Sequence, residues 1–309
     1  APVSKYIYGQ FIEHLGRCIY QGLWAEMLED RKFYFTVGDA PSPWKIYGEP
    51  HSVHMNPLLI YAGVPVPEIR LKGDGQAAGL AQGELALRAG KKYTGRVVLA
   101  GDPGVLPLEV RLVNEENGQT VAEPVIIDKI TPDFEKYYFS FVSSVTTDQG
   151  RLEIVSRGRE AFRLAAVSFM PADNLQGFRP EVVKLLRELN SPVYRWPGGN
   201  FVSGYNWKDG IGDPDRRPPR KNPAWEGIEL NDVGIQEFMT FCRLVGTEPY
   251  ITVNSGQGNE TLAAEEVEYV NGPATSPLGQ LRAQNGQAEP YNCKFWSIGN
   301  EMYGDWQLG

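Results

Sequence analysis

The feature that most constrains this chain is a short apolar run that ends in polar residues. The clearest copy is Phe295–Ile298, which leads directly into Gly299-Asn300-Glu301. Such a run predicts a strand that is buried on both faces. In a barrel of parallel strands the carboxyl ends share one face, and that face carries the chemistry. An isolated Asn-Glu pair after a strand is most often an ordinary turn, so the rest of the chain decides its meaning.

Three further runs of the same form precede it, with helical patterns between them. The runs and their polar ends are 6–12 with Glu13, 193–196 with Asn200, and 249–253 with Asn254. The predicted helices cover residues 23–28, 181–189, 231–245 and 261–270. Strands that alternate with helices predict a parallel sheet, and four such strands correspond to half of a (β/α)8 barrel.

Between residues 51 and 172 the pattern changes to short segments in which apolar and polar residues alternate. Examples are 93–100 and 108–113, and turn residues such as Asn114–Gly118 separate them. This pattern predicts an inserted β-sandwich or jelly roll. The predicted fold class is therefore α/β, the first half of a TIM barrel interrupted by a β-sandwich. The predicted domains are 1–50 (first barrel unit), 51–172 (insertion) and 173–309 (barrel strands 2 to 4).

Four strands alone would leave open sheet edges and an uncovered core. Either the chain is the front part of a longer polypeptide, or another segment completes the barrel. The stop at Gly309, shortly after Glu301, favours the first interpretation. Barrel strands 5 to 8 are therefore expected outside this chain.

Composition excludes several classes of function. The 309 residues carry a net charge of −8 with a pI near 5.1, and no basic run could follow a phosphate backbone, so nucleic acid is not an expected partner. No apolar stretch is long enough for a membrane span. The cysteines, Cys18, Cys242 and Cys293, lack metal or redox spacing. We predict no metal and no cofactor, and reduced cysteines favour the cytoplasm over secretion.

Polar strand ends without a metal cluster indicate acid/base chemistry on an uncharged polar ligand. The long loop 201–230 carries Trp207 and Trp225, whose flat faces suit sugar rings. Glu301 can serve as a general acid if partial burial raises its pKa. Glycoside hydrolysis needs two carboxyl groups, which lie about 5 Å apart in retaining enzymes. Glu13 is either the second carboxyl group or a ligand for sugar hydroxyls.

Several segments resemble the α-L-arabinofuranosidases of glycoside hydrolase family 51. They match in order and at strand ends over the whole α/β part, and the insertion resembles the carbohydrate-binding-module-like jelly roll that some members carry between the first and second barrel strands. The matching segments are 9–17, 194–207, 209–212 and 299–302.

The resemblance implies a retaining, double-displacement hydrolase with its site at these strand ends. Glu301 matches the family's acid/base, and Asn300 matches the residue that binds the sugar 2-hydroxyl. Glu13 matches a strand-1 glutamate that holds sugar hydroxyls, rather than the nucleophile. Asn200 matches an asparagine that contacts the sugar, and Trp225 falls where the family places an aromatic beside the leaving-group sugar.

Other polar residues near the motifs have less defined roles. For Trp207, lining the site and packing the loop are equally supported, and we include it among the candidate substrate-binding residues. Asn254 is expected to shape its own loop. His14 is expected to be a hydrogen-bonding partner rather than a base, and Arg195 is expected to form a structural ion pair.

The family's nucleophile, a glutamate at the end of strand 7, matches no residue here, and the usual C-terminal β-sandwich is absent. The chain alone is therefore predicted to be incomplete for catalysis. The predicted function is removal of terminal α-L-arabinofuranosyl residues from arabinoxylan, arabinan or arabino-oligosaccharides. Alternatives are an endoglucanase or xylosidase of the same family and, in another class, a non-catalytic carbohydrate-binding protein. The oligomeric state is left open, a homo-oligomer included.

Overall fold

A computed structural model describes residues 2–305 and 307. The strands are β1 Gln10–Phe11, β2 Lys45–Tyr47, β3 Val53–Tyr61, β4 Val64–Lys72, β5 Ala78–Leu87, β6 Lys92–Gly101, β7 Leu108–Asn114, β8 Val125–Ile127, β9 Glu135–Val142, β10 Thr147–Ser156, β11 Arg159–Pro171, β12 Val193–Trp196, β13 Arg220–Lys221, β14 Ile228–Glu229, β15 Glu248–Val253 and β16 Phe295–Ile298. The α-helices are α1 Pro180–Leu189, α2 Ile235–Val245, α3 Glu260–Asn271 and α4 Pro277–Gln284.

The chain divides into two compact units, residues 1–25 with 175–309 and residues 26–174. The first division therefore falls after Ala25 and not near residue 50, where the sequence pattern placed it. The reason is that the segment before β2 packs into the core of the second unit. Phe33 and Trp44 are fully buried there, and the Trp44 indole N–H donates to the backbone oxygen of Asp30 at 3.0 Å.

The first unit contains a parallel sheet in the order β1-β12-β15-β16. Helix α2 connects β12 to β15, and α3 and α4 connect β15 to β16. Parallel strands require crossovers of this kind, so the predicted α/β organisation of this part is confirmed. Helix α4 was not predicted, because it has little amphipathic character. It begins at Pro277 after the cap residue Ser276, whose hydroxyl accepts from the backbone N–H of Gly279.

The first unit differs from the prediction near its start. Residues 6–12 do not form one strand, because a 3-10 turn, Lys5–Tyr8, precedes the two-residue strand β1. The predicted helix at 23–28 is wrong. Trp24 has extended backbone, and the N–H of Ala25 donates to the oxygen of Gly177 at 2.7 Å. Pairing with a distant segment therefore overrides the local helical pattern.

Helix α2 anchors the sheet of the first unit through its apolar face. Phe238 is buried, and its ring stacks on Trp196 of β12 with centroids 5.2 Å apart. Gly246 ends the helix in the left-handed conformation (φ 85°), which glycine adopts without strain. At the other end, the buried guanidinium of Arg217 binds both carboxylate oxygens of Glu237 at 2.9 Å. These contacts keep the helix and the end of β12 in a fixed relation.

The second unit consists of two antiparallel five-stranded sheets, β2-β5-β10-β7-β8 and β3-β4-β11-β6-β9. Strand β7 shows how they build a core: Leu108, Val110 and Leu112 are fully buried, whereas Glu109 and Arg111 between them are not. Buried side chains of both sheets form one apolar cluster. The predicted β-sandwich-like character of this region is therefore confirmed.

Glu266 of α3 generates a prediction about pH and stability. The residue is buried, and burial raises its pKa to about 8. The folded state thus holds a proton that the unfolded carboxyl loses above about pH 4.5, so the free energy of unfolding should fall as the pH rises from 5 to 8. Glu266→Gln keeps the shape of the side chain without its charge. In this variant the free energy of unfolding should fall less between pH 5 and 8, by a few kcal/mol, as measured by urea unfolding.

The exposed Glu260 on the same helix supplies the control. Glu260→Gln should keep the slope of the unmutated protein between pH 5 and 8, because its carboxyl stays in water. Parallel profiles for the unmutated protein and Glu266→Gln would contradict the assignment of a buried, protonated Glu266.

Candidate active site

The carboxyl ends of the parallel strands deliver polar side chains to one edge of the sheet. Glu13 follows β1, Asn200 follows β12, and Asn300 follows β16. The strands are in parallel register, which brings these ends level with one another. The positions paired across the four strands are Phe11, Arg195, Tyr250 and Phe295.

Glu13 is held through one of its carboxylate oxygens. Oε1 accepts from the backbone N–H of Phe201 at 3.1 Å and from the indole N–H of Trp225 at 2.9 Å. The residue is 7% exposed. Because both bonds go to Oε1, Oε2 is the oxygen left to accept a hydrogen bond from a ligand. The structure therefore brings Trp225 to Glu13.

Two glycines allow the end of β12 to pack directly on Glu13. A Cβ on Gly198 would lie 2.3 Å from Glu13 Cγ, and a Cβ on Gly199 would lie 3.3 Å from Glu13 Oε1. Gly198 also has φ +149°, which side chains disfavour. This close approach places the Phe201 N–H within reach of the carboxylate.

A chain of hydrogen bonds connects the ends of β12 and β16. Arg195 Nη2 donates to Asn300 Oδ1 at 3.0 Å, and Asn300 Nδ2 donates to Asn200 Oδ1 at 3.0 Å. A guanidinium can only donate, so it determines which way the Asn300 amide faces. That choice makes the Asn200 oxygen an acceptor and leaves the Asn200 amide N–H groups as donors for a ligand.

The ion pair expected for Arg195 is not found among residues 2–305 and 307. Its Nε donates to Thr252 Oγ1 at 2.9 Å, and its guanidinium lies 5.3 Å from the centre of the Phe11 ring. Thus Arg195 acts on the site through an amide and a hydroxyl rather than through a carboxylate. The sequence interpretation missed this because β15 supplies the hydroxyl from 57 positions away.

Glu301 follows Asn300 in the chain and is exposed, with a left-handed backbone (φ 49°). Its charge, together with a hydrogen bond, raises the pKa of Tyr303. Gln307 supports this turn, since its Nε2 donates to the backbone oxygen of Asn300 and to Ser203 Oγ, each at 2.8 Å. The structure therefore presents Glu301 to solvent beside the amide chain.

His14 lies behind Glu13 and uses both ring nitrogens. The Trp196 indole N–H donates to Nε2 at 3.0 Å, so in this neutral tautomer Nδ1 carries the proton that faces Glu229 Oε2 at 2.6 Å. Tyr20 donates to the other oxygen of Glu229, and burial, followed by the Glu229 charge, raises the pKa of Tyr20. Both imidazole nitrogens are therefore occupied, which supports a positioning role over a base.

Trp207 is not brought to the site. It is 1% exposed, its ring packs on Tyr269 with centroids 5.2 Å apart, and its indole N–H donates to the backbone oxygen of Leu262. Of the two roles predicted for it, the structure shows packing. Asn254 shapes its loop as expected, because Oδ1 accepts the N–H groups of Gly256 and other residues of the following turn.

The sequence interpretation did not identify two contributors, Glu229 and Asn222. Glu229 binds His14 across 215 positions, and no local signal announces this. Asn222 had a signal, because Asn-Pro dipeptides mark turns, and Asn222-Pro223 begins the turn that carries Trp225.

Two findings concern other kinds of site. Within the described part of the chain, no group of three or more His, Cys, Asp or Glu side chains could hold a metal ion. None of its helices combines the length and apolar character that a membrane crossing requires.

Gly198 generates a prediction. Gly198→Ala should destabilise the protein, because the new Cβ would overlap Glu13 and the backbone would be strained, and thermal unfolding should show it. Gly90→Ala is a control, since Gly90 has φ +76° but open space around it. We expect Gly198→Ala to cost about 1–3 kcal/mol more than the control. Equal losses would show that the approach to Glu13 is not what requires glycine.

Part of the chain is similar in sequence to known α-L-arabinofuranosidases. Residues 185–307 match the family model described as alpha-L-arabinofuranosidase 1 domain. The chain is 49% identical over 138 residues to a probable alpha-L-arabinofuranosidase C of Aspergillus clavatus. The aligned residues make up 45% of this chain and 27% of that protein. It is 45% identical over 139 residues to an intracellular exo-alpha-(1->5)-L-arabinofuranosidase of Halalkalibacterium halodurans, covering 45% and 28% of the two chains.

A solved structure of an arabinose-bound family 51 α-L-arabinofuranosidase matches 97% of this chain and 54% of its own, with a TM-score of 0.84 and 21% identity. At that identity the likeness shows the fold. The chain spans 27% of the Aspergillus clavatus relative's length. Residues 185–307 thus match the alpha-L-arabinofuranosidase 1 domain model, and the resemblance of this chain to the α-L-arabinofuranosidases of glycoside hydrolase family 51 is confirmed.

Proposed function

We propose that this chain is the sugar-binding and acid/base part of a retaining α-L-arabinofuranosidase. The observation that carries the proposal is the hydrogen bond between the strand-end amides of Asn200 and Asn300, with Asn300 immediately before Glu301 and with the Glu13 carboxylate at the end of the neighbouring strand. The similarity to named arabinofuranosidases gives this geometry its chemical meaning.

The arrangement suits an uncharged sugar with several hydroxyl groups. Glu13 Oε2 offers an acceptor and the Asn200 amide offers donors, while the indole of Trp225 supplies an apolar face beside them. Because Arg195 fixes the orientation of the amide chain, donors and acceptors are in place before a ligand arrives. Preorganised hydrogen-bonding groups of this kind bind without the cost of ordering.

In the proposed reaction, Glu301 first donates a proton to the glycosidic oxygen as the leaving group departs. A second carboxylate attacks the anomeric carbon, and Glu301 then takes a proton from the water that releases the sugar. Two inversions at that carbon retain its configuration. The attacking carboxylate is proposed to come from a segment outside this chain.

Exposed apolar side chains at the two sheet edges support a barrel completed by further strands. Ile298 of β16 is 81% exposed, and Phe11 of β1 is exposed as well. Strands of parallel sheets are normally covered on both faces. We therefore propose that β1, β12, β15 and β16 are the first half of a (β/α)8 barrel, and that strands 5 to 8 cover these residues.

The second unit is proposed to be a jelly roll inserted between the first and second barrel strands. Tyr138 is a strongly exposed aromatic residue on it, at 73%, but its strand neighbours on the same face, Lys136 and Ser140, are not aromatic. A sugar-binding face usually offers several aromatic platforms, so a structural role is favoured for this unit. This weighs against a purely carbohydrate-binding protein.

The proposed substrates are arabinoxylan, arabinan and arabino-oligosaccharides, from which terminal residues are removed. The Halalkalibacterium halodurans relative is itself named as an exo-acting enzyme. An endoglucanase or xylosidase with the same mechanism is the alternative, and a panel of aryl glycosides and polysaccharides separates these activities.

The polypeptide that carries this chain together with the remaining strands should hydrolyse p-nitrophenyl α-L-arabinofuranoside. Glu301→Ala should lower kcat by about 100-fold or more, because the acid/base is lost. The deficit should be larger for an arabino-oligosaccharide, whose leaving group needs the proton more than p-nitrophenolate does. Glu289→Ala, which removes an exposed glutamate, is the control. Equal rates for Glu301→Ala and the unmutated enzyme would remove Glu301 from the mechanism.

The 309-residue chain by itself should bind methyl α-L-arabinofuranoside without hydrolysing aryl arabinofuranosides. The reason is that it has the proposed sugar-binding groups but not the nucleophile. Isothermal titration and a prolonged hydrolysis assay measure the two properties. Turnover by the chain alone, at a rate lowered by Glu301→Ala, would show that the nucleophile lies within it.

A further inference from the structure

The β13–β14 hairpin carries Trp225 on a turn that one buried side chain organises. Asn222 is 8% exposed, and its Oδ1 accepts from the backbone N–H groups of Ala224 at 3.1 Å and Trp225 at 2.9 Å. Its own backbone N–H donates to the oxygen of Gly227 at 3.0 Å. Asparagine therefore fixes the direction in which the chain presents the Trp225 ring.

The same side chain joins this turn to the end of β1. Asn222 Nδ2 donates to the backbone oxygen of His14 at 2.8 Å. Because His14 follows Glu13, and Glu13 Oε1 accepts from the Trp225 indole, the contacts form a closed ring. The ring runs from Glu13 through Trp225 and Asn222 to His14, and back along the chain to Glu13.

Glu229, at the other end of the hairpin, holds the imidazole of His14. The hairpin therefore contacts two consecutive residues at three places: the Glu13 carboxylate, the His14 carbonyl and the His14 ring. Of these contacts, the Asn222 bond is the one that also orders the backbone of Trp225. Loss of Asn222 would leave Trp225 on a turn without its internal acceptor, so the turn would no longer hold the indole on Glu13.

We propose that Asn222 is a positioning residue for the candidate active site: it holds the Trp225 ring on Glu13 and so sets the distance between this ring and the acceptor Oε2. The inference rests on the proposed function for the identity of the ligand. The position of the Trp225 indole itself is independent of that function. If Asn222 only stabilised the hairpin, its loss would lower stability without moving the indole N–H from Glu13.

The test compares Asn222→Ala with Asn222→Asp in the 309-residue chain. Alanine removes the acceptor and the donor, whereas aspartate keeps the acceptor for Ala224 and Trp225 and loses the donor to His14. Asn117→Ala is a matched control, because Asn117 Oδ1 likewise accepts a turn N–H, that of Gln119 at 2.9 Å, at an exposed turn of the second unit.

The first readout needs no ligand. With tryptophan labelled with ¹⁵N, the indole N–H resonance of Trp225, assigned with Trp225→Phe, reports its bond to a carboxylate. Asn222→Ala should shift this resonance toward the position of a water-exposed indole and speed its exchange with solvent. Asn222→Asp and Asn117→Ala should leave the resonance near its original position.

The second readout is the Kd for methyl α-L-arabinofuranoside. We expect Asn222→Ala to raise it about tenfold, in line with the loss of one buried hydrogen-bonded anchor, Asn222→Asp to raise it less, and Asn117→Ala to leave it unchanged. If the unmutated chain does not bind this ligand, the proposed function fails, and the resonance still decides the role of Asn222.

Two results would overturn the proposal. One is a folded Asn222→Ala whose Trp225 resonance and exchange rate match those of the unmutated chain. The other is a Trp225 resonance in Asn222→Asp that lies at the position of a water-exposed indole, since the turn would then not be what positions the ring. The second result also decides the matter if Asn222→Ala does not fold.

Discussion

The site depends on the close approach of the end of β12 to the Glu13 carboxylate. Two glycines without side chains bring the backbone against Glu13, and the Phe201 N–H then reaches Oε1. The Trp225 indole binds the same oxygen from a different loop. A buried carboxylate needs such donors, since an unpaired one would be costly. One oxygen thus satisfies burial, and the other stays available for a ligand.

A second ordering principle is the direction of hydrogen bonds. Arg195 and the Trp196 indole can only donate, and they lie side by side in β12. Arg195 sets the direction of the amides of Asn300 and Asn200, while Trp196 sets the tautomer of His14. Strand β12 therefore sets the hydrogen-bond direction of the proposed sugar-binding amides and of the His14 ring behind Glu13.

The local sequence pattern was sufficient to predict a strand where the apolar run and the strand period agree with the burial in the structure. The strands at 193–196 and 295–298 have the predicted bounds, and Asn200 and Asn300 come together because parallel strands end at one edge. It was insufficient where distant segments compete. Trp44 belongs to the core of the second unit, although its neighbourhood reads as part of the first barrel unit. Near Trp24 the apolar spacing predicts a helix, but the chain instead forms hydrogen bonds with a segment more than 150 residues later.

By itself, the sequence determined which residues arrive at the strand ends, because side-chain type and strand period are local properties. The tertiary structure alone decided what those residues do to one another. It turned Trp207 inward onto Tyr269, brought Trp225 to Glu13 across 212 positions, and connected Arg195 to Asn300 across 105. A hydrogen bond requires an ångström-scale match of position and direction. Only the packed chain, and not its residue order, supplies that match.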